Sequence, residues 1–495
     1  MKTNIISNWA ALLLTISGMA ASPLSAAPKV VNTDQSGTPD IGGVYEGVSG
    51  TAALYVYSPD ASYSGSNITL SSTFSGNIGR AGAYINNNAS VFLSGGTITT
   101  TGTAGDGIYL SGTSSGTARD LNVTTSGDGA IRPVFVNNSS TLFLSSSTLT
   151  TNGGGRGIYI SNTSAAILDN IQVTAVNGGG ISVSINSSLL ASDLYLDISG
   201  TALLTGLVAN GATATISGLT IIKSNGGSAG VSVMTDAQVT LSDVDITVTS
   251  GSEASGLSVG YTGVLTATNV HIAVTGGAHN DGLHMGNHSA GTMTLTNADI
   301  TVDSPDSQVI YLASSSTIGA DEHDTLVING GRLSASQGTV IAVNPQSKDN
   351  YDLDLYSTYQ GNYELTLRDV TMSGTSALEI TSVRSGTWSD GTVGTVDMPT
   401  NFILRTERAT ISGDANFHGS STSTLKLADS TLTGNVSGND HAIVDLTVSG
   451  SDSALLGDIA LNDNAVVTIT FDNGATGSGG YSGGNLITGG NSAWT

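Results

Sequence analysis

The chain has 495 residues, with 38 acidic and 14 basic side chains and a net charge of −24. A nucleic-acid binder or an anionic-lipid binder needs a basic face, and the sequence offers none. Cysteine is absent, which excludes disulfide and thiolate-metal chemistry and suits an exported chain that needs no covalent staples. Glycine is abundant, proline scarce, and only 11% of residues are charged. Val, Ile, Thr and Leu fall in short alternating runs, so the chain reads as nearly all-β. The regularity of those runs argues against the disorder that Gly/Ser richness would otherwise suggest.

Residues 1–26 read as a secretory signal peptide. Lys2 is followed by the apolar run Trp9–Ala21, then Pro23 and the small residues Ser25, Ala26 and Ala27, with cleavage expected after Ala26. The run is shorter than the ~20 apolar residues of a membrane span. Residues 27–80 contain the strand-like runs Leu54–Val56 and Ile68–Leu70 without an obvious phase. They are expected to form an N-terminal cap and irregular first coils, because a solenoid must protect its terminal edge.

From residue 81 to 312 a repeat is plain. Glycines 230, 256 and 282 each open the same series of three short strand patterns, at steps of 26 residues. In the first strand the central, outward residue is Tyr84, Tyr109, Phe135, Tyr159, Ser182, Val208, Ser232, Ser258, His284 and Ile310 in turn. Such a period marks a stacked array. The expected fold is a right-handed parallel β-helix, a pectin-lyase-like β-solenoid, with three strands per coil of about 25 residues. Between 313 and 412 the strand order persists, but insertions follow the first strand on three successive coils, after Leu312, Val343 and Val383. They should project from one edge and lie together. Compact coils are expected again over 413–495.

No catalytic, cofactor or metal residues are assigned. The carboxylate clusters of glycan-active β-helices are missing, as are a serine-protease signature and calcium-binding nonapeptides. Asp245, His271 and Asp299 occupy equivalent outward positions on three coils. They form either a charge-alternating surface ladder or a weak metal site, and the ladder is the simpler reading. Two groups of aromatic residues are candidate binding surfaces. Tyr84, Tyr109, Phe135 and Tyr159 would stack in register, to steady the sheet or to meet sugar rings. Tyr351, Tyr356, Tyr359, Tyr363 and Trp388 lie in or beside the insertions, where exposed aromatics serve recognition.

The signal, the acidic Cys-free solenoid rich in Ser, Thr, Asn and Gly, and the closing stretch from Asp463 to Thr495 (DNAVVTITFDNGATGSGGYSGGNLITGGNSAWT) together resemble the passenger domains of pertactin-like autotransporters (type V secretion). The resemblance implies a cell-surface adhesin or virulence-type rod. Its expected partners are a host or bacterial surface glycan or protein, or further copies of itself. It also implies a C-terminal outer-membrane β-barrel in the full-length protein, beyond Thr495; without one, the chain would be periplasmic or secreted. A glycan-active β-helix enzyme and a non-functional passenger fragment are the alternatives.

Overall fold

The computed structural model describes residues 27–495 apart from 36, 38, 48–50, 75–79, 104, 128, 130, 202–203, 252, 287–289, 314–322, 344–350, 353–360, 389 and 463. Among the described residues there is no helix. Parallel strands stack into a solenoid of about 16 turns, with equivalent positions about 25 residues apart.

The coil around residue 260 shows how the sequence builds a turn. The short strand Ala254–Val259 lies between Ser228–Met234 and Asp281–Met285. The long strand Val264–Gly276 lies between Gln238–Ser250 and Thr292–Asp303. The long strand holds both the second and the third strand of the sequence pattern. It bends at one residue, Asn269, which steps out of the pairing while Thr268 and Val270 stay in it. On either side of the bend, Leu265, Ala267, Val270, Ile272 and Val274 alternate inward and are buried.

The bend needs a left-handed backbone. Asn269 has φ 54°, and Asn67, Asp120, Asn170, Asp193, Asp243 and Asn297, at the same corner on other coils, have φ between 51° and 55°. Asn and Asp tolerate this region better than other residues with a Cβ. Their side chains also link coils: Asn269 Nδ2 donates to Asp243 Oδ1 at 2.8 Å, and Asn297 Nδ2 donates to Asn269 Oδ1 at 3.1 Å.

The recurrent glycine has a packing reason. Ile246, Ile272 and Ile300 stack directly above one another. A Cβ on Gly256 would lie 2.5 Å from Ile272 Cγ2 and 2.7 Å from the Gly282 carbonyl. Only a residue without a side chain lets the short strand pass so close to that stack. A second inward ladder closes the turn after the short strand. The amides of Ser114, Ser140 and Ser164 donate to the hydroxyls of Ser140, Ser164 and Ser187 on the next coil, at 3.2–3.3 Å. These buried serines hold the turn without leaving an amide unmet.

The array starts earlier than the sequence pattern shows. Lys29–Val31 pairs with Leu54–Val56, which pairs with Ala83–Ile85. Ile68–Leu70 belongs to a long strand paired with Ser90–Gly102. The described strands before residue 80 are thus coils in the same register as the rest. One outward assignment moves: His284 pairs with Tyr311, and Ile310 pairs with Leu283. Ile310 is core, and Tyr311 takes the outward column, where its ring stacks on His284 at 4.7 Å. The segment Gln308–Leu312 is buried at all five positions, so burial pattern alone gave no phase.

Of the insertions, two contribute a small side sheet. Tyr351–Asp352 pairs parallel with Gly386–Thr387, and Val383–Thr387 pairs antiparallel with Val393–Asp397. Segments from two successive coils do lie together at one edge. Beyond Thr400 the coils tighten, with Leu404, Leu425, Leu446 and Ile469 in one inward column.

Replacing Asn269 by Val places a β-branched residue at positive φ and removes the inter-coil amide bond. It should cost about 1–3 kcal/mol of stability in guanidinium unfolding, whereas Asn269→Gly should cost clearly less.

Candidate interaction surface

The aromatic column is continuous. Tyr55, Tyr84, Tyr109, Phe135 and Tyr159 stack with ring centroids 4.6–5.3 Å apart and planes within 7–12° of parallel. Tyr109 and Phe135 are buried, and Tyr84 and Tyr159 half-buried. A sugar-stacking platform needs free ring faces. Here the faces meet one another, and the Arg132 guanidinium lies 3.7 Å from the Phe135 ring centre. The column therefore stabilises its own sheet face.

Arg132 also anchors this face to the coil below. Its Nε donates to Asp106 Oδ1 at 2.8 Å, its second terminal nitrogen donates to Oδ2 at 3.0 Å, and its backbone N–H donates to Oδ1 at 3.1 Å. Burial pushes the Asp106 carboxyl up, and the Arg132 charge and hydrogen bonds pull it part of the way back. Burial also pushes the Tyr159 phenol up. Hydrogen bonding with Ser184 and Ser161 and the charges of Arg132 and Arg156 outweigh that, leaving it below its ordinary value.

Of the insertion aromatics, two are drawn into packing. Tyr363 is 1% exposed and packs in the main core. It opens an alternating run with Leu365 and Leu367 inward, so it belongs to the second strand of its coil and is withdrawn as a surface residue. Trp388 is half-buried, packs on Val396 and Met398, and pins the hairpin of the side sheet. Tyr351 is a strand residue paired with Gly386. Tyr356 and Tyr359 lie outside the described residues.

Asp245, His271 and Asp299 do stack in register. His271 Nδ1 lies 3.2 Å from Asp245 Oδ1, and on the coil beyond, Arg332 Nε lies 3.7 Å from Asp299 Oδ1. All four side chains are more than half exposed. Interposing His271 between Asp245 and Asp299, and following Asp299 with Arg332, keeps carboxylates from stacking on carboxylates. Among the described residues no group of three His, Asp or Glu is placed to hold a metal ion. A groove of about 580 Å³ runs over His279, Asp306, Gln308, Gln337 and Ser376, and Asp306 is its one carboxylate. Glycoside hydrolysis by two carboxylates has no pair there.

The feature that stands out lies on another face. Phe92, Phe143, Ile167 and Leu190 share one outward column of the second strand, with Thr117 between the two phenylalanines. They are 37%, 40%, 45% and 53% exposed. Farther along the same column stand Thr215, Thr240, Thr266 and Thr294. The strip was readable in the sequence. The second-strand triplets are Val91-Phe92-Leu93, Leu142-Phe143-Leu144, Ala166-Ile167-Leu168 and Leu189-Leu190-Ala191, where alternation calls for a polar middle residue. On the same strand segment the charged outward neighbours are Arg119 and Asp169, which share a column two residues along; Asp120 and Asp193 are exposed at the bend beyond. Arg119 Nε donates to Ser94 Oγ at 3.0 Å, and Asp169 Oδ1 accepts from Ser192 Oγ at 2.6 Å.

No family model, curated protein or solved structure matched the chain.

Two other groups are buried charges. Lys223 points inward at 1% exposure, and its Nζ donates to the Gly226 carbonyl at 2.6 Å; burial lowers its pKa to about 8. Asp324 is 2% exposed and accepts the Gly291 N–H at 2.8 Å; burial pushes its carboxyl up to about 7, against that hydrogen bond.

Because the folded Asp324 holds its proton to higher pH than the unfolded chain does, its contribution is fully favourable below about pH 4. It is lost progressively as pH rises to about 7. Asp324→Asn should flatten stability between those limits and raise the melting temperature at pH 8, by thermal unfolding across a pH series. Arg132→Met should cost about 3–5 kcal/mol by leaving Asp106 buried without its partner, and Asp106→Leu added to it should recover much of the loss.

Proposed function

We propose that this chain is an exported, rigid adhesive rod of the autotransporter-passenger kind. The exposed apolar strip of Phe92, Phe143, Ile167 and Leu190 is the observation that carries the reading. These four large side chains keep about half of their apolar surface in water on an outer column of a strongly acidic rod, where threonine serves on the following coils. Contiguous exposed apolar residues framed by polar ones mark interaction surfaces. Their positions are fixed by backbone pairing above and below, so contact would order little that is not already ordered.

On this reading the signal at residues 1–26 exports the chain, and a barrel in the full-length protein holds the rod at the outer membrane. The strip meets a surface glycan or protein, or another rod. Each side chain is already about half buried, so completing its burial contributes about 1 kcal/mol. One strip is therefore a weak adhesive, and many rods on one surface give useful avidity.

Phe143→Ser, Ile167→Ser and Leu190→Ser combined should abolish most binding of the purified chain to cells or to an apolar solid surface, with the β-sheet circular dichroism spectrum retained at the assay temperature. Undiminished binding by that variant would discard the strip, and cleavage of a polysaccharide by the purified chain would discard the adhesive reading.

A further inference from the structure

We infer that the strip is an isologous contact with a second copy of this chain, the two rods lying antiparallel face to face. This rests on the adhesive reading and names the partner.

A chain of net charge −24 repels its own copies, so self-contact needs a patch where that charge is absent or compensated. The strip provides one. On the coils from Phe92 to Leu190, the strand positions beside it carry Arg119 and Asp169, and the exposed Asp120 and Asp193 stand at the bend, with Arg119 Nε 4.0 Å from Asp120 Oδ2. Arg119 and Asp169 lie in one column, one coil below and one coil above the coil of Phe143. A two-fold axis in the plane of the contact, along the strand direction and through the Phe143 coil, maps each column onto itself and reverses the order of coils. Arg119 then faces Asp169 of the other copy, and this happens twice. Phe143 meets its own equivalent, Phe92 meets Leu190, and Thr117 meets Ile167. At the bend beside the strip, Asp120 faces Asn170 and Asp193 faces Gly95, so no carboxylate meets a carboxylate. The alternative axis, along the rod, sets each column against a different one. It leaves Arg119 and Asp169 opposite uncharged residues of their own coils, Ser115 and Ala165.

The face is flat and modest. Five coils at about 4.8 Å and an arm of five residues at about 3.4 Å give a footprint on the order of 400 Å² per copy. That is below the roughly 800 Å² of a stable interface, so the pair is weak and forms at high local concentration. Anchored rods on apposed surfaces meet these conditions, and they meet head to head, which is the antiparallel arrangement.

The cysteine-free chain allows a direct test. Thr141 is exposed, lies on the proposed axis and is outside the apolar strip. Thr141→Cys should give a covalent dimer with a short bis-maleimide at high micromolar concentration. Val264→Cys, on the same face but off the contact, should not. In sedimentation velocity, R119E and D169R should each weaken the dimer about tenfold, and the R119E/D169R double variant should restore it. Equal cross-linking of the two cysteine variants, or a double variant as weak as the singles, would overturn the inference. A chain that stays monomeric yet adheres through the strip would overturn this inference alone. Adhesion that survives loss of the strip would overturn the reading beneath it.

Discussion

Every side chain in this solenoid has its own equivalents as neighbours, one coil above and one below, about 4.8 Å away. That single constraint governs what each column can hold. Like packs on like where the group is apolar or can bond to its own kind. Isoleucines stack into a spine, tyrosines into a column of rings, serines into a buried hydrogen-bond ladder and asparagines into an amide ladder along the bend. Where the group is charged, one exposed column interleaves unlike groups, Asp245, His271, Asp299 and Arg332, and where Arg405 stands beside Lys426 the arginine is paired with Glu364. The strip of Phe92, Phe143, Ile167 and Leu190 satisfies the same rule on the outside. The rule permits the strip but does not require it.

The exceptions are instructive. Lys223 enters an inward column between Ile198 and Val248, and Asp324 enters one beside Tyr363. Neither has an equivalent charge of opposite sign on the next coil, and each is satisfied locally, by the Gly226 carbonyl and the Gly291 amide. In a globular core such a charge would weaken the whole domain. In a stacked array its effect falls mainly on adjoining coils, because stability is close to a sum of nearest-neighbour terms.

The repeat, the strand order and the insertions were legible in the sequence because alternation and spacing survive in one dimension. The single-residue bend was not, since Asn269 or Asp243 inside an alternating run looks like an ordinary polar position. Tyr363 was misplaced because it borders an insertion, where strand and loop cannot be separated until pairing with Asp324 and Phe402 fixes the phase. Tyr311 was displaced by one residue because all of Gln308–Leu312 is buried and apolar residues stand on both sides of the true outward position. For the aromatic column the residues were legible and the direction of the rings was not. That they face one another depends on stacking geometry. The apolar strip was visible as a broken alternation, but only after register put the four breaks in one line.

The direction of the backbone hydrogen bonds has a mechanical consequence. They run along the rod, so a load that pulls the rod lengthwise opens one coil's bonds at a time, like a zipper. Each coil of about 25 residues that peels away releases on the order of 80 Å of extended chain in exchange for about 4.8 Å of rod. A tether of this design would yield gradually under tension. It would lengthen many-fold before its far end let go.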